Sequence, residues 1–432
     1  MQRQILRLST PNILSNIVIP LVGMVDVAIM GHLGSDIYIG AVALGSMIFN
    51  FLYWGFGFLR MGTTGFAAQA NGTGNRQEMM AVLARGALLA GSAASILLLF
   101  QHPIGKLAFL LIRAPEAVEA EAMIYYSVRI WAAPATLMLY VFYGWFIGMQ
   151  NTVIPATIAI VVSIVNMAAS YLLVYRFGMT ADGVALGTVI AQYTGAVLAI
   201  TVLLTRYRKM LPFPPWRHVA QRIALVKMMR VNSDIFIRTL CLIAVMTYFT
   251  GRSAYYGSQI LAVNTLLFQF FIFFSYFIDG FAYAGEALTG RLIGAKDRTG
   301  LATMLKTLFR WGAVMSLLFT LGYLLLGNQL PAILTNDPET IAATNPYLFW
   351  TIIIPVVSFA AFLWDGVFIG ATAGAPMRNV MIVASVAVFF PAYFLLDPII
   401  GNHALWLAFL LFLAARSTGM SLLAKRVISD YV

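Results

Sequence analysis

Asp26 stands in the stretch MVDVAIMGHLG, 24–34, inside an otherwise apolar run from Pro11 to Leu33 that is long enough to cross a bilayer. A carboxylate near the middle of a spanning helix costs about 2.5–3.5 kcal/mol. The chain must hide this acid or use it. A carboxyl group shielded from water can take up and release protons in the physiological range, and a cation beside it competes with that proton. The chemistry on offer is exchange of a proton for a cation at one group. The structural alternative is an acid satisfied by hydrogen bonds between helices.

Of the sixteen acids, most fall in loops or at the ends of apolar runs, leaving Asp26, Asp234, Asp279, Glu286 and Asp365 within or bordering them. In VSIVNMAAS, Asn166 and Ser170 are four apart and share a helix face, and Thr188 lies in the next run. Such side chains often glue helices together; their convergence on Asp26 would make a polar site. Further on, Asp279 and Glu286 are seven apart on one face with Tyr283 between them, and Asp365 sits in FLWDGVFIG. Arg238, inside an apolar run, needs an acid, and Asp279 or Asp365 could supply it. One ion pair and a spare carboxylate would leave a titratable or cation-binding group; the same residues could equally hold a helix bundle together. Pro11 and Pro20 each remove a backbone hydrogen bond from the first run and permit a bend.

These residues must be held by elements that cross a membrane. The chain of 432 residues is 61% hydrophobic and 10% charged, against about 25% charged in soluble proteins. Apolar runs predict twelve spans, near 11–33, 37–61, 79–100, 121–149, 153–175, 183–205, 231–250, 258–286, 303–327, 344–371, 377–397 and 402–424. The basic N-terminus, MQRQILRLST, lacks a small-residue cleavage site and reads as the entrance to the first span. The stretch 206–230 carries Arg206, Arg208, Lys209, Arg217, Arg222, Lys227 and Arg230, and the excess of basic residues puts it in the cytoplasm. With twelve spans, both termini face the cytoplasm too. The net charge of +11 therefore follows topology and forms no nucleic-acid motif. The lone Cys241 and four scattered histidines offer no metal or redox cluster. No HExxH, GxSxG or Walker A pattern points to an enzyme.

The basic stretch splits the chain into a first lobe, 1–205, a linker, 206–230, and a second lobe, 231–432. Shifted by 222 residues, Gly72 and Arg76 land on Gly294 and Arg298, GWFIG at 144–148 lands on GVFIG at 366–370, and Pro155 falls one residue from Pro376. Matches at one offset indicate a duplication of six spans, hence a parallel repeat. Aligning GHLGSDIYIGAVAL, from Gly31, with GRSAYYGSQILAVN, from Gly251, places Met246 opposite Asp26, so the halves differ chemically.

The stretches IPLVGMVDVAIMGHLG, FLRMGTTGFAAQA, IDGFAYAGEALTGRLIGAKD, LWDGVFIGAT, PMRN and GNHALWLAFLLFLAAR together resemble the MATE (multidrug and toxic compound extrusion) family, in its DinF-like branch. The resemblance implies an all-α fold of twelve transmembrane helices in two six-helix bundles arranged as a V. It also implies efflux of amphipathic and organic cationic compounds, driven by protons or sodium. Asp26 matches the family's essential first-helix aspartate, Asn166 its fifth-helix asparagine, Thr188 its sixth-helix threonine, and Pro11 its bending proline. Many relatives carry a second aspartate where Ser170 stands, which leaves Asp26 as the single proton carrier of this lobe and weakens the case for sodium there.

The expected function is an antiporter that exports amphipathic or organic cationic drugs in exchange for protons by alternating access. It would use a proton gradient and no cofactor, as a monomer among lipids of a bacterial cytoplasmic membrane. Sodium coupling is one alternative. A flippase of a lipid-linked precursor is another, although that would call for a basic cavity, and the charges here are mixed. The many Phe and Met residues, 31 and 21, suit an adaptable chamber, while most of them face lipid or pack.

Overall fold

The computed structural model describes residues 1–31, 36–112, 114–210 and 214–431, with the side chains of all of these but 19–22, 24, 27, 111, 328, 430 and 431. The fold is all-α, with no strand among the described residues. The first half holds α1 Gln2–Gly31, α2 Asp36–Gly55, α3 Phe58–Gly72, α4 Arg76–Leu99, α5 Gln101–Leu111, α6 Glu116–Arg129, α7 Ala133–Gly148, α8 Val153–Phe177 and α9 Ala181–Arg206. The second holds α10 Trp216–Val219, α11 Arg222–Tyr255, α12 Ser258–Gly294, α13 Arg298–Leu326, α14 Pro338–Thr344, α15 Leu348–Gly370, α16 Gly374–Ile382, α17 Phe390–Ile400 and α18 Asn402–Tyr431.

Several of these join end to end into single rods: α2 with α3, α6 with α7, α14 with α15, and α16 with α17 through a π-helical segment at Val383–Phe389. Eleven rods among the described residues are long and apolar enough to cross a membrane, and α1 covers the remaining expected span, 11–33, as far as Gly31, with 32–33 outside the described residues. The rods outrun the apolar runs: α12 has 37 residues and α11 has 34. The eleven-residue helix α5, in what reads as a loop, has no counterpart among the expected spans.

The chain forms two compact units. The first is Leu14–Met228, and the second is Met229–Val432 together with Met1–Ile13. The first thirteen residues thus pack with the second set of helices rather than with the first. The core of the first unit gathers Phe49, Tyr125, Trp145 and Phe146, and that of the second Phe389, Trp406, Phe409 and Phe412, all fully or nearly fully buried.

Each unit carries the same backbone frame, in register at the offset found in the sequence. The turn after α3 needs a left-handed residue at Gly74, φ 71°, and the turn after α12 needs one at Lys296, φ 55°. Gln150, φ 62°, and Thr372, φ 55°, repeat this after α7 and α15. Asn75 caps α4 by accepting from the Glu78 amide, and Asp297 caps α13 by accepting from the Gly300 amide. Gly144 lets α7 press on the Arg60 carbonyl of α3, and Gly366 lets α15 press on the Ala282 carbonyl of α12. One equivalent contact is filled the opposite way round. Thr63 leans into the space left by Gly86 in the first unit, where Leu308 leans into the space left by Gly285 in the second.

Candidate functional site

The first-unit site is built on the crossing of α8 and α9. A Cβ on Gly187 would lie 2.5 Å from the Ser170 hydroxyl and 2.7 Å from its backbone nitrogen, so only glycine lets the two helices come this close. That approach brings Asn166 of α8 to Thr188 of α9, and the Asn166 side-chain amide donates to the Thr188 hydroxyl at 2.9 Å. Thr188 gives its own hydrogen to the Val184 carbonyl at 3.1 Å. A hydroxyl has one hydrogen, so Thr188 must accept from Asn166, and the Asn166 carbonyl oxygen is turned away from it. That oxygen is buried and makes no hydrogen bond.

The end of α1 is fixed against the same helix by Tyr175, whose hydroxyl donates to the Ile29 carbonyl at 3.1 Å. One turn earlier on α1, Asp26 is buried, 6% exposed, and faces Ser170. Asp26 Oδ1 and Ser170 Oγ are both buried without a hydrogen-bond partner. Asp26 on α1, and Asn166 and Ser170 one turn apart on α8, thus each carry an open buried oxygen, with Ser170 the one that Asp26 faces. Buried polar atoms left unpaired cost free energy, and a proton or a cation among them would recover part of it. Arg129 of α6 lies within electrostatic reach of Asp26. It is engaged by the Ser46 hydroxyl at 3.1 Å, by the Tyr125 hydroxyl, and by the Phe49 ring 5.1 Å away.

Pro11 lies within α1, which stays helical through it, two residues before the point where α1 passes from one unit to the other. Pro20 lies in α1 as well, and its side chain is outside the described ones.

In the second unit Arg238 of α11 pairs with Asp365 of α15, one of the two acids that the sequence offers it. A second arginine, Arg416 of α18, reaches the same carboxylate oxygen at 2.8 Å. All three are buried, Arg416 to 2% exposure, with its guanidinium also over the Phe362 and Phe412 rings. Asp279 of α12 lies within electrostatic reach of Arg416. Asp279, Tyr283 and Glu286 are each engaged, and Glu286 is buried. Asp234 belongs elsewhere, paired with Arg378 of α16. Arg416 is the member that attention to acids alone passes over. The rule that flags an acid inside an apolar run flags it equally. Asp365 is therefore bound by two guanidiniums, whereas Asp26 makes no ion pair among the described residues. Among the described residues no three His, Cys, Asp or Glu side chains gather as a metal site would need.

The MatE family model matches residues 11–172 and 236–394. The chain is 38% identical to DNA damage-inducible protein F of Escherichia coli strain K12, over 97% of this chain and 91% of that one. It is 24% identical to the probable multidrug resistance protein NorM of Thermotoga maritima, over 79% of this chain and 74% of that one. Its fold resembles the bent form of the Vibrio cholerae MATE transporter VcmN, with a TM-score of 0.87 and 20% identity, covering 100% of this chain and 97% of that one.

Proposed function

Because the chain belongs to the MatE family, we propose that it is a secondary active exporter that releases amphipathic, often cationic, small molecules in exchange for protons. The observation that carries this reading is the pairing of the acids. Asp365 is occupied by two buried guanidiniums, while Asp26 Oδ1 is buried with no partner and faces Ser170, whose open oxygen is one helical turn from that of Asn166 on α8.

In this reading Asp26 is the coupling group. Ionised, it offers its charge to a cation. Protonated on the outer side, it loses that charge and becomes a hydrogen-bond donor, for which Ser170 Oγ and Asn166 Oδ1 are available acceptors. The cation then leaves. Return of the proton to the cytoplasm restores the charge. Thr188 keeps Asn166 in the accepting orientation, and Pro11 weakens α1 so that it can bend. The exporter works as a monomer in a bacterial cytoplasmic membrane, with both termini and the 206–230 linker in the cytoplasm and no cofactor.

The same oxygens suit a sodium ion, which prefers oxygen ligands, so sodium coupling is the second reading. One test separates them. Dye efflux is followed in energised everted vesicles with wild type and Asp26→Asn, while the proton and sodium gradients are collapsed separately. Proton coupling requires that loss of the proton gradient stops efflux and that Asp26→Asn abolishes it with normal membrane insertion. Efflux that survives loss of the proton gradient and stops with the sodium gradient assigns sodium. Normal transport by Asp26→Asn removes Asp26 from the mechanism.

A further inference from the structure

The connection between the two halves is clamped to the first unit. Arg85 of α4, 2% exposed, donates to the carbonyls of Val219 at 3.0 Å and His218 at 2.9 Å, at the end of α10. Glu78 holds the other side of Arg85 at 2.6 Å, and its second oxygen meets the His218 ring at 3.0 Å. Tyr207, just past the end of α9, packs edge-on to Trp145 of α7 with ring centroids 4.9 Å apart. The described linker residues are thus held in place rather than trailing.

The side chains that this arrangement presents are of two kinds. Arg217 and Arg222 are exposed, as are Arg208 and Lys209 beyond the end of α9, and among the described residues none of the four makes an ion pair. Residues 206–230 contain no acid, and the nearby Glu78 is already taken. Beside these charges Trp216 is 65% exposed and Ile223 is 88% exposed. Water alone is a poor solvent for such a mixture, whereas the boundary between headgroups and acyl chains accommodates both kinds.

Position agrees with composition. The 34-residue α11 is about 50 Å long at 1.5 Å per residue. The hydrocarbon layer is about 30 Å thick, so α11 outruns it by about 20 Å, and Arg222 and Ile223 stand nine and eight residues ahead of the apolar run that begins at 231, on its headgroup side.

We propose that α10 and the first turn of α11 form a docking surface for anionic phospholipids of the leaflet that the linker faces. Arg217 and Arg222 hold the headgroup phosphates, and Trp216 and Ile223 enter the acyl-chain boundary. Arg85 fixes the surface at the membrane plane. An acidic protein or a nucleic acid would satisfy the charges but would leave Ile223 and Trp216 in water.

The test uses the full chain in uncharged detergent and titrates phosphatidylglycerol against phosphatidylcholine of the same acyl chains, with bound lipid read by native mass spectrometry. Wild type should retain phosphatidylglycerol preferentially. The Arg217→Gln, Arg222→Gln double variant should bind it at least about tenfold more weakly, and Arg217→Lys, Arg222→Lys should restore binding, because charge rather than fork geometry is required. Brominated phosphatidylglycerol should quench a tryptophan signal that Trp216→Phe lacks. Equal retention of phosphatidylcholine, undiminished binding by the Gln variant, or displacement by glycerol phosphate or an oligonucleotide at matched concentration overturns the proposal.

Discussion

The Asn166 amide donates to the Thr188 hydroxyl at 2.9 Å, and Thr188 passes its hydrogen to the Val184 carbonyl at 3.1 Å, so one hydroxyl decides which way the asparagine faces. Without it the amide could turn and present its nitrogen, a donor, where its oxygen now lies. Thr188→Val keeps the shape and strands the amide at a cost of about 1–3 kcal/mol. The expected outcome is efflux reduced severalfold, with a displaced pH profile, and Thr188→Ser close to wild type. Adding Asn166→Ala to Thr188→Val should cost little more than Asn166→Ala alone, because the two act as a unit. Additive losses in vesicle efflux would refute the link.

Asp365 presents the opposite situation, one carboxylate between Arg238 and Arg416. Asp365→Asn strands two buried guanidiniums and should destabilise the second unit by about 3–5 kcal/mol. Arg416→Met leaves the Arg238 pair intact and should be milder. Thermal unfolding in detergent at neutral pH checks the order; a milder Asp365→Asn contradicts it.

Glycine contacts give a paired test of the frame. A Cβ on Gly144 or Gly366 would strike a backbone carbonyl, whereas one on Gly91 meets nothing within 4 Å. Gly144→Ala and Gly366→Ala should each lower stability by about 1–3 kcal/mol or more. Gly91→Ala, inside α4, should be neutral or slightly stabilising. Comparable melting temperatures for all three would show that the close crossings are not limiting.

One acid outside the spans carries a pH signature. Asp337 caps α14, and the Thr340 hydroxyl and amide hold its carboxyl below the ordinary 3.8. A depressed native pKa stabilises the fold above the unfolded value and loses that contribution as pH falls through the native one. The cap should therefore be at full strength at pH 7 and fade only below about pH 4. Asp337→Ala should increase amide hydrogen exchange at the start of α14 at neutral pH, and the difference from wild type should vanish in acid.

Much of this was legible in the sequence because a membrane makes polar residues costly. Asp26 stands out in its apolar run, Asn166 and Ser170 share a face by spacing alone, and Arg238 demands an acid. The choice between Asp279 and Asp365 was not legible, since it depends on how closely α15 packs on α12 at Gly366. Thr188 could be read as a neighbour but not as the residue that orients Asn166, which depends on its bond to Val184. The π segment at 383–389 and the short α5 escape periodicity, the first because its apolar pattern passes for α-helix, the second because eleven residues are too few to span. The placement of the first thirteen residues with the second unit leaves no mark on hydropathy.

The left-handed turns at Gly74 and Lys296, and at Gln150 and Thr372, recur at the same places although the residues that adopt them differ. A scaffold pinned at its corners and crossings tolerates drift in its interior. One copy could keep an acid without an ion pair among the described residues while the other acquired a carboxylate shared by two arginines, without either having to invent a new shape. Divergence of this kind explains how a molecule made of two like halves comes to hold an unpartnered buried carboxylate oxygen in one of them and a carboxylate between two guanidiniums in the other.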